Sequence, residues 1–178
     1  MLRGSGGFWD LRLTETYDNY NFFNFSIPIG INGDCYDRYI CRIQEMRESL
    51  KIMSQALKFL NVFSKLGDTS YIINDFKIAP PSRHFMKYNM EGLIHHFKYY
   101  TEGFSISKEE SCALVEAPKG EFSVYLVSDN SNKAYRCRIK APGFLHLQGL
   151  NFLAKNLFLA DLVTIIGSLD LVFGEIDR

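Results

Sequence analysis

The feature that most constrains this chain is a run of large apolar residues at steps of three and four. Tyr36, Tyr39, Ile40, Ile43, Met46, Leu50, Met53, Leu57 and Leu60 lie along one stripe. That spacing follows the 3.6-residue turn of an α-helix, so residues 33–60 are predicted as a single helix. Asp34 stands where its N-cap belongs, and Asp37 adds favourable charge in the first turn. At 1.5 Å per residue the helix runs roughly 40 Å, more than a small domain needs, which suits one rod of a larger bundle. Arg38, Arg42, Glu45, Arg47, Glu48 and Lys51 ride on it and read, on the residues alone, as a solvated face with i,i+3 and i,i+4 pairs.

Around this helix the chain alternates between glycine-marked loops and further periodic stretches. Residues 1–33 carry Gly4, Gly6, Gly7, Gly30 and Gly33, which suggests either close backbone contact with a neighbour or positive-φ turns. Residues 61–81 read as a linker containing Gly67-Asp68 and Pro80-Pro81, with the polar stretch 65–68 as a surface turn. Ser82 then caps a second helix to about Glu102, with Met86, Met90, Leu93, Ile94, Phe97 and Tyr100 in phase and Gly103 ending it. His95 and His96 are adjacent, point about 100° apart and so do not form an i,i+4 chelating pair. Core or interface positions suit them better.

Residues 112–141 read as β structure, with strands at 122–127 and 134–139 flanking the turn cluster 128–133. Pro142-Gly143 opens a third helical region. The apolar stretch that follows, residues 157–167, is interrupted by Asp161 and Asp170 and falls short of the ~20 residues a membrane span requires, so a buried helix is predicted. After it the chain ends on Gly174, Glu175, Asp177 and Arg178. A charged end there would fray unless held against other protein; Gly174 is placed as a tight bend. The fold class is α+β, a long-helix bundle with a β-hairpin, read as one unit over residues 1–178 with segments 1–33, 34–102, 112–141 and 142–178.

Composition excludes several functions. With 178 residues, 47% of them hydrophobic, the chain can bury one core. Zero formal net charge and a pI near 6.9 argue against nucleic acid as a partner. The 15% aromatic share, with 15 Phe and 10 Tyr, suits a chain that buries much of itself against others, although an A/T-rich gene gives the same bias. Cys35, Cys41, Cys112 and Cys137 form no CxxC pair and are read as reduced, buried residues with no metal site. The opening residues are polar and glycine-rich, unlike a signal peptide. No Ser-His-Asp array, phosphate loop, HExxH pair or cysteine cluster is present, so no catalytic residue is assigned.

Several motifs together resemble a known family. Met1-Leu2-Arg3-Gly4-Ser5-Gly6, Gly33-Asp34-Cys35-Tyr36-Asp37-Arg38-Tyr39, Glu45-Met46-Arg47, Leu93-Ile94-His95-His96-Phe97, Glu116-Ala117-Pro118-Lys119-Gly120-Glu121, Ala141-Pro142-Gly143-Phe144 and the ending Asp170-x-Val172-Phe173-Gly174-Glu175-x-Asp177-Arg178 stand in the order found in the quinone-pocket (49 kDa) subunit of respiratory complex I. The motif at residues 33–39 is similar to the mitochondrial and proteobacterial branch more than to the plastid one. The resemblance implies the C-terminal half of a hydrogenase large-subunit-like fold. In that family the Leu-Arg-Gly-Ser-Gly motif lies mid-chain, so the first half is expected on a separate chain. It also allows the charges of the long helix to pair across a subunit interface.

Residues 116–120 are similar to the Glu-Ala-Pro-Arg-Gly segment of nickel-iron hydrogenase large subunits. By that resemblance Lys119 faces the cavity where hydrogenases hold their metals; on the residues alone it is a solvated lysine at a hairpin-entry turn. Set against the hydrogenase ending, Val172 and Glu175 fall where cysteine thiolates stand and Arg178 where a histidine stands. Val172 has no donor atom and Glu175 offers a hard oxygen, so the soft metal pair has no ligands there. A vacated apolar cavity with a few polar groups fits a quinone. The resemblance therefore implies Val172 and Phe173 as pocket wall, with Asp170, Glu175, Asp177 and Lys119 as support and Arg178 paired to a carboxylate. It implies no cofactor on this chain, ubiquinone as substrate, and a 4Fe-4S cluster on a neighbouring subunit. Partners would be the first-half chain, the iron-sulfur subunit and other complex I core subunits. The location would be the matrix-side arm at the mitochondrial inner membrane, joined to the membrane through partners. The alternative is a scaffold or assembly subunit without quinone contact, and the missing thiolates disfavour a hydrogenase activity.

Overall fold

The structure, a computed structural model, describes residues 1–66, 73 and 75–177. After a short 3-10 turn at Arg3–Ser5, Asp10 caps helix α1 (Leu11–Thr14) by accepting the Arg12 N–H at 2.9 Å. The long helix, α2, runs Cys35–Leu66. Asp34 Oδ1 accepts the Asp37 N–H at 2.7 Å, as expected of its N-cap. The helix extends six residues past the predicted end, because residues 61–66 contain no breaker before Gly67. Lys65 and Leu66, predicted in a surface turn, are the last residues of this helix; the rest of that predicted turn, Gly67-Asp68, lies outside the described residues.

The predicted second helix is two helices. Ser82 Oγ caps α3 (Arg83–Tyr88), and α4 (Met90–Thr101) begins after Asn89, whose extended backbone (φ −119°, ψ 129°) breaks the run. A Cβ at Gly92 would lie 2.9 Å from the Phe85 carbonyl oxygen, so the absence of a side chain there allows the two helices to approach closely. Gly103 adopts φ +72° and donates its N–H to the Lys98 carbonyl, ending α4 as predicted. His96 packs beside Tyr100 with ring centres 4.9 Å apart.

The β region is a three-stranded sheet rather than a two-stranded hairpin. Strands β1 (Glu110–Ala117), β2 (Gly120–Ser128) and β3 (Ala134–Lys140) pair in the order β1-β2-β3. The two-residue link Pro118-Lys119 makes β1 and β2 antiparallel. Helix α5 (Pro142–Leu153) starts with Pro at N1, α6 (Leu159–Leu169) follows, and α7 (Phe173–Asp177) closes the described chain. Of α6, Ile165 and Leu169 are buried while Leu159 and Val163 are exposed, so only one face of the predicted buried helix is covered. Gly174 lies inside α7 and is not a bend. The chain turns at Asp170, in the left-handed conformation with φ 55°, which Asp tolerates better than most residues. Among the described residues no helix is long and apolar enough to cross a membrane.

Contacts cluster into two compact units. One comprises Met1–Asn61, Ala113–Val124 and Ile139–Arg178; the other comprises Val62–Cys112 and Tyr125–Arg138. In the first unit the interior is small: Leu11, Cys41, Ala141, Ile165 and Leu169 are its buried apolar residues, and Asp10 and Arg38 are buried among them. Cys41 is buried and Cys35 half-buried, but Cys112 and Cys137 are exposed and free, unlike the buried set expected. Both stand on strands whose side chains are largely open to solvent at those positions.

Candidate functional site

The first unit gathers charge around Arg3. Its guanidinium reaches Glu45 Oε1 at 2.6 Å, Glu116 Oε1 at 2.5 Å and Asp10 Oδ2 at 3.2 Å. Arg12 closes the group from the other side, with Nη2 2.7 Å from Asp10 Oδ2. Glu116 Oε2 also accepts the Leu11 N–H at 3.3 Å, and the Tyr17 hydroxyl accepts the Glu116 N–H at 2.9 Å. Thus the N-terminal segment, α2 and β1 are joined through one arginine. The 3-10 turn aims Arg3 here because Gly4 packs against Arg38: a Cβ on Gly4 would lie 2.8 Å from Arg38 Cγ, and one on Gly30 would overlap the Gly4 carbonyl oxygen. The close contact expected of the early glycines is present, with the neighbour in the same chain.

Burial and charge act in opposite senses on the two innermost carboxyls. For Asp10, fully buried, desolvation works to raise the pKa, but the hydrogen bonds and charge of Arg12 and the charge of Arg3 outweigh it and hold the group below its usual value. For Glu116, burial raises the pKa, the neighbouring Asp10 charge adds to it, and Arg3 only partly opposes them.

Arg3 and Glu116 border a cavity of about 520 Å³ whose other polar lining includes Arg38, Arg42, Lys119 and His146. Arg38, 6% exposed, donates to Ser168 Oγ, the Gly33 carbonyl and Cys35 Sγ, tying the start of α2 to the end of α6. Of the charged residues on α2, then, Arg38 and Glu45 turn inward, while Lys51 pairs with Glu48 on the outer surface. Burial lowers the His146 pKa, and its Nδ1 is buried without a hydrogen-bond partner. At the rim, Glu121 accepts from Trp9 Nε1 at 3.2 Å and from Lys140 Nζ at 2.6 Å.

Of the residues assigned from the sequence, Lys119, Asp170 and Glu175 meet. Lys119 Nζ donates to the Asp170 carbonyl at 3.0 Å and lies 3.7 Å from Asp170 Oδ1 and 3.6 Å from Glu175 Oε2. Glu175 Oε1 accepts the Gly143 N–H at 3.0 Å, placing a carboxylate at the N-terminus of α5, where the helix dipole favours it. Glu175 Oε2 is buried without a hydrogen bond, 3.6 Å from the Lys119 ammonium. Gly143 permits this approach, since a Cβ there would stand 2.9 Å from Glu175 Oε2. Lys119 thus lines the cavity and anchors α7, and is not a freely solvated lysine.

Val172 and Phe173, at the start of α7, are 47% and 87% exposed and lie apart from the cavity lining. Asp177 is exposed, and Arg178 lies outside the described residues. The Arg3 cluster and the buried Arg38 are site features that the sequence patterns do not mark. The motifs at residues 1–6 and 116–121 contain both ends of that cluster, but nothing in either shows that β1 brings Glu116 beside Arg3.

Fold and site together define a mixed α+β chain with an ion-paired, arginine-bordered cavity and a short C-terminal helix anchored by a lysine. The family model for the respiratory-chain NADH dehydrogenase 49 kDa subunit matches residues 1–178. The chain is 60% identical over all 178 residues to the NADH-ubiquinone oxidoreductase 49 kDa subunit of Acanthamoeba castellanii, covering 43% of that protein. It is 59% identical to the NADH-ubiquinone oxidoreductase 49 kDa subunit of Reclinomonas americana, covering 43% of it, and 56% identical to NADH dehydrogenase [ubiquinone] iron-sulfur protein 2 of Nephroselmis olivacea, covering 43%. The chain belongs to the 49 kDa subunit family of respiratory-chain NADH dehydrogenase, and it spans less than half the length of these relatives.

Proposed function

We propose that this chain works as part of a core subunit of NADH:ubiquinone oxidoreductase, where it supplies wall and support for the chamber in which ubiquinone is reduced. In this reading Val172 and Phe173 present apolar surface to the quinone. Lys119, Asp170 and Glu175 hold α7 in place behind them, and Asp177 adds negative charge at the rim. Electrons come from a 4Fe-4S cluster on a neighbouring subunit, and the enzyme couples quinone reduction to proton pumping. The location is the peripheral arm on the matrix side of the mitochondrial inner membrane. Arg178, outside the described residues, is assigned the role of pairing with a carboxylate.

The observation that carries this reading is the convergence of Lys119, Asp170 and Glu175 at the base of α7. A buried carboxylate oxygen set beside an ammonium fixes a short helix that could not hold itself in water, and that helix begins with a large apolar side chain exposed at its tip. The relatives named for ubiquinone supply the substrate class. The test is Val172→Met in the assembled enzyme. Added bulk in the wall shifts the inhibition curve of a quinone-site inhibitor with the assembled amount unchanged, whereas an unshifted curve assigns this chain to a scaffold without quinone contact.

A further inference from the structure

The turn that leads from α6 into α7 is held at two points by cations from separate elements of the first unit. Arg38, in the first turn of α2, donates its Nε–H to Ser168 Oγ at 3.1 Å. Lys119, in the link between β1 and β2, donates to the Asp170 carbonyl at 3.0 Å. Between these points the Leu169 side chain is 1% exposed, and His146 of α5 lies beside the Leu169 backbone. Residues 168–170 are therefore fixed from three sides, and Val172 and Phe173 follow directly at the start of α7.

Arg38 is built for holding a position. It is 6% exposed, and every acceptor it meets among the described residues is neutral: Ser168 Oγ, the Gly33 carbonyl at 3.0 Å and Cys35 Sγ at 3.1 Å. A buried cation with no carboxylate is costly; what it supplies here is geometry. The planar guanidinium reaches three acceptors in fixed directions, which an ammonium cannot do from a single point. Ser168 passes the constraint on, because its hydroxyl donates to the Ile165 carbonyl at 2.8 Å within the last turn of α6. The stem of Arg38 is confined too, since a Cβ on Gly4 would stand 2.8 Å from its Cγ. We propose that Arg38 is a positioning residue for the quinone wall: through Ser168 it sets where α6 ends, and together with Lys119 it sets where α7 presents Val172 and Phe173. This rests on the reading of those two residues as wall. Apolar wall contacts hold the ground state and the transition state alike, so a displaced wall weakens quinone binding more than it slows the reacting step.

Two variants of the assembled enzyme test the assignment. Arg38→Lys keeps the charge and loses the fork, whereas Ser168→Ala removes the acceptor and leaves the start of α2 intact. Each is expected to raise the KM for ubiquinone about three- to tenfold, with kcat per assembled enzyme retained, and to speed hydrogen exchange in residues 170–177. The double variant does no worse than the worse single one, because both remove the same interaction. Lys51→Met, which breaks an exposed pair on α2, leaves the KM unchanged. If Arg38 serves stability alone, its variant lowers the assembled amount or the thermal midpoint while KM and exchange at 170–177 keep their wild-type values, and that result overturns the proposal. Should Arg38→Lys fail to assemble, Ser168→Ala decides by the same readings. Its failure is separable from that of the quinone reading. An unmoved KM in both variants, with Val172→Met still shifting inhibition, removes only the positioning role. An unshifted Val172→Met curve, with faster exchange at residues 170–177 in both variants, removes the wall reading and with it the quinone role of Arg38, while its hold on α7 stands.

Discussion

Lys119 and Asp170, separated by 51 positions, meet where the Lys119 ammonium donates to the Asp170 main-chain carbonyl at 3.0 Å. Asp170 is the left-handed residue at which α6 stops and the chain turns into α7. The turn between β1 and β2 therefore sets the orientation of the C-terminal segment, through a bond to backbone that is insensitive to the identity of the side chain at position 170.

Removing that ammonium tests how much of the tail it holds. Lys119→Met removes the ammonium 3.6 Å from the buried Glu175 oxygen and is expected to cost about 1 kcal/mol, discounted because Lys119 is partly exposed. The loss should be visible as a lower urea midpoint together with faster hydrogen exchange in residues 170–177. Lys119→Arg restores most of both.

Arg3 is the more costly residue to remove. Arg3→Met leaves Glu45 and Glu116 without their cation, while Asp10 keeps Arg12, and breaking a pair of this kind by deleting one partner costs about 3 kcal/mol or more. Thermal denaturation measures it, and the drop should far exceed that of Lys51→Met, which breaks only the exposed pair with Glu48.

The two inner carboxyls predict pH dependences of opposite sign. Asp10 has a depressed folded pKa, so its contribution is present above its ordinary value of 3.8 and is lost as pH falls through the folded value. Glu116 has a raised one, so its contribution is present below its ordinary value of 4.5 and is lost as pH rises through the folded value. Urea unfolding between about pH 3 and about pH 7 should show the stability advantage of wild type over Asp10→Asn growing with pH. The difference between wild type and Glu116→Gln should move the other way.

Packing at the early glycines gives a further prediction. Gly30→Ala sets a methyl group on the Gly4 carbonyl oxygen and 3.0 Å from Asp37 Cβ. Backbone has little freedom to yield, so the cost is about 1–3 kcal/mol, read as a lower thermal midpoint. Gly174→Ala, with open space around the added carbon, should cost little by the same measurement.

What the residues reveal in advance differs from element to element. The start of α2 is legible because its stripe and its Asp34 cap are local signals. The break at Asn89 is not, since Met86, Met90 and Leu93 stay in helical phase across it and the close approach of Gly92 to Phe85 that accompanies it is a contact between helices. Gly174 reads as a bend, yet the turn falls on Asp170, a residue that reaches the left-handed region without glycine. At the site, Lys119, Asp170 and Glu175 follow from a family resemblance and do come together. Arg3, Asp10, Glu45 and Glu116 are given no role by it, because a cluster assembled from the N-terminal segment, α2 and β1 leaves no spacing pattern in any one of them.

The most direct measurement of the chamber assignment is photolabelling of the assembled enzyme with an azido-ubiquinone, followed by peptide mass spectrometry. Label is expected on Val172 or Phe173, suppressed by excess ubiquinone and reduced in Lys119→Met, where α7 has lost its anchor. Label confined to other subunits, with the peptide containing residues 170–177 unmodified, would contradict it.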